Sequence, residues 1–338
     1  MTTVVALLVA FGITVALTPL VRAVSYRIGY LDHPGDKSSH NRPVPKSGGY
    51  AIVIGILAAV GLAGGFGNRD VAVIITAAVA LAVLAAVDEA KSLSRSGRFV
   101  VQIIIAGAIA YGGGVILEQV LLPFGVRVAF GALSAVAAVV WIAGLINAYN
   151  FMDGLNGMAA VEGIVSGSAL AVLFAWVGDP AGMVVSVAIA GACAGFLPWN
   201  LPSGSIFMGD VGSASLGFLF AVLSLRLSNQ GVPLVVAALP LLPFLFDSSV
   251  TVLLRALRGE RFFATRHRSH FYQRLNGTGY SHAHVTMVYG LMALISSAVA
   301  LMYTGLTETT KAMMLMGLLG LHIALASWVM SREHRGLR

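Results

Sequence analysis

The chain has 338 residues, 58% of them hydrophobic and only 10% charged, with a mean hydropathy of +0.88. Soluble domains carry about 25% charged residues, so that class is excluded. The net charge of +7 is scattered over separate loops, which argues against a nucleic-acid partner. The lone Cys193 lies in an apolar run and can form no intrachain disulfide.

Apolar runs near twenty residues recur along the whole length, each long enough to cross the roughly 30 Å hydrocarbon layer as a helix. Eleven spans are predicted, at 2–21, 48–66, 70–87, 99–117, 128–146, 158–177, 181–198, 211–229, 232–254, 286–304 and 310–330, with ten as the alternative count. A β-barrel would instead alternate in ~10-residue segments. The first run has no basic residue before it and exceeds a signal-peptide core, so it reads as a retained helix. The expected fold is all-α: a polytopic transmembrane helix bundle forming one integral membrane domain over residues 1–338, without repeats or a soluble module.

Connections alternate between the two membrane faces. One side holds 22–47, 88–98, 255–285 and the tail, with 17 of the 21 Lys and Arg; the other holds only Arg69, Arg127, Arg226 and Lys311. The rich side is expected to be cytoplasmic, which puts the N-terminus outside and the C-terminus inside. The outer links, such as "VGDP" (177–180), read as plain turns with no external domain.

Every long polar or Gly-rich segment falls on the inner side: "DHPGDKSSHNRPVPKSGG" (32–49), "DEAKSLSRSGR" (88–98), "NAYNFMDGLNG" (147–157), "WNLPSGSIFMGDVGS" (199–213) and "ATRHRSHFYQRL" (264–275). A transporter would need polar groups along a path through the bilayer. Span interiors hold few, notably Glu162, Asp247 and His322. An enzyme at the cytoplasmic membrane surface fits better than a lipid or sugar-nucleotide transporter. An intramembrane aspartyl protease fits poorly, because Phe207 stands where its Gly-x-Gly-Asp motif needs glycine.

Asp88 and Glu89 end the third span, where the helix dipole disfavours acids. They read as a solvated helix end, or as a cation, base or partner site. Asp210 precedes the eighth span and suits either a helix cap or a hard cation. Asn147, Asn150, Asp153 and Asn156 suit Asx-turns singly, but together they exceed what one turn needs. Their amides can both donate and accept, without adding charge. Arg266, His267, Arg268, His270 and Arg274 form a basic juxtamembrane run, read either as an orientation signal or as a pyrophosphate grip. Lys37, His40, Arg42, Lys46 and Arg98 are weaker phosphate contacts on the same logic. Carboxylates, amides and cations on one lipid-adjacent face suggest joining a soluble phosphate ester to a lipid phosphate.

These motifs, in this order, resemble the polyprenyl-phosphate N-acetylhexosamine-1-phosphate transferase superfamily over essentially the whole chain. "NAYNFMDGLNG" looks like its Asn-x-x-Asn-Phe-x-Asp-Gly-x-Asp-Gly signature, "IFMGDVGS" matches closely, and "HRSHFYQRL" occupies the histidine-rich loop. The resemblance implies Mg2+-dependent transfer of a sugar-1-phosphate from a UDP-N-acetylhexosamine to undecaprenyl phosphate, releasing UMP and starting O-antigen, cell-wall or other surface glycan synthesis. Mn2+ is an alternative ion, and a homodimer is left open. A bacterial cytoplasmic membrane is the implied location. Asp210 would be the principal metal ligand with Asn150 nearby. Asn147, Asp153 and Asn156 would shape the nucleotide pocket. Asp88, with or without Glu89, would act on the lipid phosphate as base or positioning group. Arg266, His267, Arg268 and His270 would bind the donor, with Lys37 and Arg98 assisting. Glu89 replaces the family's second aspartate, Asn156 its usual third acid, and the consecutive histidines of the peptidoglycan branch are absent. The last departure points to the glycan-initiating branch.

Overall fold

The computed structural model describes residues 2–34, 42–91, 94–260 and 269–336. It opens with helix α1 (Thr2–Ile28), followed by two short paired strands, β1 (Leu31–Asp32) and β2 (Val44–Pro45). Then come α2 (Gly48–Leu62), α3 (Arg69–Lys91) and α4 (Arg95–Gly107), which runs on through a π-turn to Gly112. An antiparallel hairpin, β3 (Gln119–Leu121) with β4 (Arg127–Ala129), precedes α5 (Ser134–Met152). The remaining helices are α6 (Met158–Trp176), α7 (Pro180–Asn200), α8 (Gly209–Asn229), α9 (Leu234–Ala238), α10 (Leu242–Leu257), α11 (Phe271–Gly277), α12 (His282–Met302) and α13 (Glu308–Gly336).

All eleven predicted spans overlap apolar helices, but the fifth, expected at 128–146, is displaced to Ser134–Met152, with 128–129 in β4. Among the described residues nine helical stretches are long enough to cross a bilayer, and two, Gly48–Leu62 and Ser96–Gly112, are shorter. The protein is therefore a multi-pass α-helical membrane protein. The fourth span, expected to reach 117, stops at Gly112. Three consecutive glycines, Gly112–Gly114, weaken the helix there. The β-branched and Gly/Pro-punctuated sequence that follows suits a hairpin. That link, read from sequence as a short turn, thus carries folded structure. The backbone N–H of Phe124 at its tip donates to Glu308 of α13 at 2.8 Å.

Helix α8 is the axis of the bundle: from Val211 to Leu225 every residue is buried. That explains why it is apolar on all faces rather than on one stripe. Helix α5 packs along it on one side and α3 on another. The pair α1 and α7 approach closely, with Leu7 and Ala10 against Gly191 and Phe11 and Thr14 against Gly195. At the end of the bundle away from the polar segments, Asp179 caps α7 by accepting from Ala181 N (3.1 Å) and Gly182 N (3.0 Å). Asp179 also takes Arg226 Nε at 2.5 Å and Gln230 Nε2 at 2.8 Å, and Arg226 Nη1 reaches Asp70 at 3.1 Å. The "VGDP" turn is thus a pinned corner.

The three polar residues noted within spans are all buried and bonded. Glu162 accepts from Ser166 (3.1 Å), and His322 Nδ1 contacts the Leu318 carbonyl oxygen (2.8 Å). Asp247, 1% exposed, binds the start of α11.

Candidate active site

The polar segments converge at one end of the bundle. Asp88 and Glu89 sit in the last turn of α3, and Asp210 in the first turn of α8, where the helix dipole favours its charge. Arg98, from the first turn of α4, reaches back between them. Its Nη1 lies 2.8 Å from Asp88 Oδ2 and 2.9 Å from Asp210 Oδ2. Asn150 Nδ2 donates to Asp210 Oδ1 at 3.0 Å and to Ser213 Oγ at 2.8 Å. Glu89 Oε1 accepts from the backbone N–H of Asp210 at 2.9 Å, and Glu89 Oε2 accepts from the Tyr30 hydroxyl. A narrow cleft is lined by Leu84, Arg98, Gln102, Asn147, Asn150 and Asp210.

The local backbone explains the glycines of the motifs. The stretch 45–49 runs beside 207–208: Phe207 N donates to the Pro45 carbonyl (2.7 Å), Gly48 N to that of Phe207 (2.9 Å), and Gly49 N to that of Met208 (2.7 Å). At Gly49 a Cβ would collide with the backbone of Gly212 in α8. The sequence "KSGG" is thereby tied to "FMGD", which puts Lys46 and Tyr30 beside Glu89. Lys46 Nζ stands 5.5 Å over the Tyr30 ring.

Asn147, Asn150 and Asp153 recur every three residues at the end of α5 and so share one face. Asn147 donates to Gln102 Oε1 at 2.9 Å. Asp153 keeps partial solvent contact, yet burial raises its carboxyl pKa well above the usual range, and the negative charges of Asp210 and Glu89 add to that. Asn156 lies further off. It donates to the Pro202 carbonyl oxygen and its backbone meets His282 Nδ1, each at 3.4 Å. Its carbonyl accepts from Thr286 of α12 at 2.9 Å.

His270 is buried rather than open to a ligand. Its Nδ1 is 3.1 Å from Asp247 Oδ1, and its ring packs 5.9 Å from that of Phe151. Asp247 also accepts from the backbone N–H groups of Phe271 and Tyr272 (3.0 Å each), from Tyr289 OH (2.5 Å) and from Thr251 (3.2 Å). Tyr272 OH then donates to the Phe151 carbonyl at 2.8 Å. So Asp247, within α10, anchors α11 to the Phe-Met-Asp-Gly turn. Lys37, Arg266, His267 and Arg268 lie outside the described residues.

The structure thus brings Asp88, Glu89, Arg98, Asn147, Asn150, Asp153 and Asp210 together, while Asn156 lies further off and His270 is turned inward to Asp247. Sequence reading missed Tyr30, Gln102 and Ser213 as partners. Gln102 carries the one legible signal, a lone amide inside an otherwise apolar helix stretch.

A multi-pass helical bundle that gathers carboxylates, amides and an arginine at one end is the architecture of a membrane-embedded protein with a polar cleft. The family model described as Glycosyl transferase family 4 matches residues 71–228, from the start of α3 to the end of α8. The chain is 30% identical over 312 residues to a probable undecaprenyl-phosphate N-acetylglucosaminyl 1-phosphate transferase of Bacillus subtilis, covering 90% of this chain and 86% of that protein. It is 29% identical over 317 residues to a decaprenyl-phosphate N-acetylglucosaminephosphotransferase of Mycobacterium tuberculosis, covering 83% and 77%. With a phospho-N-acetylmuramoyl-pentapeptide-transferase of Enterococcus hirae it shares 28% over 185 residues, covering 53% and 55%. The chain belongs to glycosyl transferase family 4, the polyprenyl-phosphate N-acetylhexosamine-1-phosphate transferases, and is an enzyme of the transferase type.

Proposed function

We propose that the protein transfers N-acetylglucosamine 1-phosphate from its UDP-sugar to a polyprenyl phosphate such as undecaprenyl phosphate, releasing UMP, in a Mg2+-dependent reaction at the cytoplasmic face of a bacterial inner membrane. The observation that carries this reading is the convergence of Asp88 and Asp210 on one nitrogen of Arg98, beside Asn150. A carboxylate suited to Mg2+ beside an arginine suited to phosphate oxygens supports a diphosphate substrate. The inner-face placement, with an outer N-terminus, follows from the basic loops.

In the direct form of this transfer, a phosphate oxygen of the lipid attacks the sugar-linked phosphorus of the donor. The bridge bond to the uridine-linked phosphate breaks, and UMP leaves with that oxygen. Little covalent chemistry is asked of the protein, whose work is positioning and charge stabilisation. Arg98 offers its remaining N–H groups to phosphate oxygens while Asp88 holds its fork in place. Asn147 and Asp153 line the nucleotide pocket, with Asn156 on its far wall. Burial and the neighbouring carboxylates raise the pKa of Asp153, which lessens its repulsion of the diphosphate. Lys37, Arg266, His267 and Arg268 grip the pyrophosphate by family resemblance.

The donor set suits Mg2+. Among the described residues no group of three or more His, Cys, Asp or Glu forms a dedicated cage, and Mg2+ is usually held by one or two carboxylates plus substrate phosphates. Asp210 would hold it, with Asn150 beside that carboxylate through its Nδ2, and Mn2+ is the alternative ion. The ion would neutralise charge on the donor diphosphate and on departing UMP.

The test is a panel of UDP-sugars given to purified protein with undecaprenyl phosphate and Mg2+. UDP-N-acetylglucosamine should yield UMP and a lipid-linked product, and EDTA or Asp210→Ala should abolish both. Full turnover by Asp210→Ala would remove the metal assignment. Movement of an intact UDP-sugar into sealed vesicles, without UMP, would make the protein a transporter.

A further inference from the structure

The two adjacent acids at the end of α3 do different things. Asp88 reaches Asp210 through Arg98, side chain to side chain. Glu89 reaches it through the backbone: Oε1 accepts the Asp210 N–H at 2.9 Å, one of the N–H groups that a helix leaves unpaired at its first turn. Glu89 Oε2 is taken by the Tyr30 hydroxyl. Each carboxylate oxygen therefore already has a protein donor, one on the segment after α1 and one on α8. Burial, and the bond to Glu89, push the Tyr30 phenol pKa up, so it remains a donor across the physiological range. The turn being held needs holding. Gly209 has φ of +74°, and a Cβ there would strike the Lys46 carbonyl. Reach matters as well: an aspartate at 89 is shorter by one C–C bond, about 1.5 Å, and would not span both donors from the same backbone.

We infer that Glu89 is a positioning residue, whose two oxygens clamp the first turn of α8 to Tyr30 and so aim the Asp210 carboxylate, rather than a metal ligand or proton acceptor. The inference rests on the reaction proposed above. It makes side-chain length and hydrogen-bond acceptance, not negative charge, the property required at position 89.

The two conservative variants separate these properties. Glu89→Gln keeps an acceptor for the Asp210 N–H and a polar partner for Tyr30. Glu89→Asp keeps the charge and loses the reach. UMP release would be followed against Mg2+ concentration and pH. Since a ~1 Å misplacement can cost about 100-fold, Glu89→Asp should lose about 10- to 100-fold in kcat and need several-fold more Mg2+ for half-maximal rate. Glu89→Gln should lose no more than about threefold, with an unshifted pH profile, as expected where no proton passes through the group. The reverse order, Gln inactive and Asp active, overturns the inference. So does a limb of the pH profile that disappears in Glu89→Gln. If Glu89→Asp does not fold, the Gln variant alone decides by the same two criteria. A wild-type protein that turns over no UDP-sugar would overturn the reaction instead. The Glu89 assignment would then be read from Mn2+ binding by electron paramagnetic resonance, held in Glu89→Gln and weakened in Glu89→Asp. Equal weakening in both would overturn it.

Discussion

Asp88 and Asp210, on helices α3 and α8, place their Oδ2 atoms 2.8 and 2.9 Å from the same Arg98 nitrogen. Nothing along the chain links these acids; α4 supplies the cation that joins them. Arg98→Ala should therefore lower kcat by about 10²–10³-fold, the usual cost of removing one charge-stabilising donor. Arg98→Lys should recover only part, because an ammonium cannot reproduce the planar fork. Equal activity of the Ala variant and wild type in UMP release would refute the assignment.

Asp153 predicts a pH dependence of stability. Its folded-state pKa lies above the ordinary value of 3.8, so across the interval between the two the folded form binds more protons than the unfolded form. Stability then falls as pH rises through that interval. Melting in detergent should show wild type losing stability as pH rises above the ordinary carboxyl value of 3.8, and Asp153→Asn losing less. The same variant should be impaired in turnover. Parallel melting curves for the two proteins would remove the argument.

Gly154 and Tyr272 should be coupled. A Cβ at Gly154 would overlap the Tyr272 hydroxyl and lie 3.0 Å from its ring carbon. Gly154→Ala should destabilise the protein and displace Asp153. Tyr272→Phe removes that oxygen and its 2.8 Å bond to Phe151, for about 1 kcal/mol. The double variant should be more stable than the sum of the two single losses, giving a coupling energy of about 0.5–3 kcal/mol. Strict additivity would show that the two sites do not touch.

Asp247→Ala strands the backbone N–H groups of Phe271 and Tyr272 and the buried ring of His270. Each unsatisfied buried donor costs about 1–3 kcal/mol. Limited proteolysis should show new cleavage around α11 at temperatures where the remaining helices resist. Unchanged protection of that segment would show that α11 is held by other contacts.

At the other end, Arg226→Ala should lower the melting temperature by unpairing the buried Asp179 cap. Metal dependence should stay as in wild type, because nothing in that cluster reaches the cleft. A shifted Mg2+ requirement would contradict this separation of stability from chemistry.

The sequence by itself determined the class, the eleven apolar runs and the family. Helix length in a bilayer and the demand for internal backbone hydrogen bonds leave few alternatives. Motif order alone points to Asp88, Asn150 and Asp210. It did not show that the run after Gly112 turns into a hairpin, because apolar strand and apolar helix look alike over short windows. Only the tertiary structure decided which groups meet. Arg98 bridging two helices, Glu89 bonded to a backbone N–H, Tyr30 as its second donor, and His270 turned inward to Asp247 are contacts between segments far apart in the chain. Distances of this kind are set by how helices pack around α8, and local composition carries no record of them.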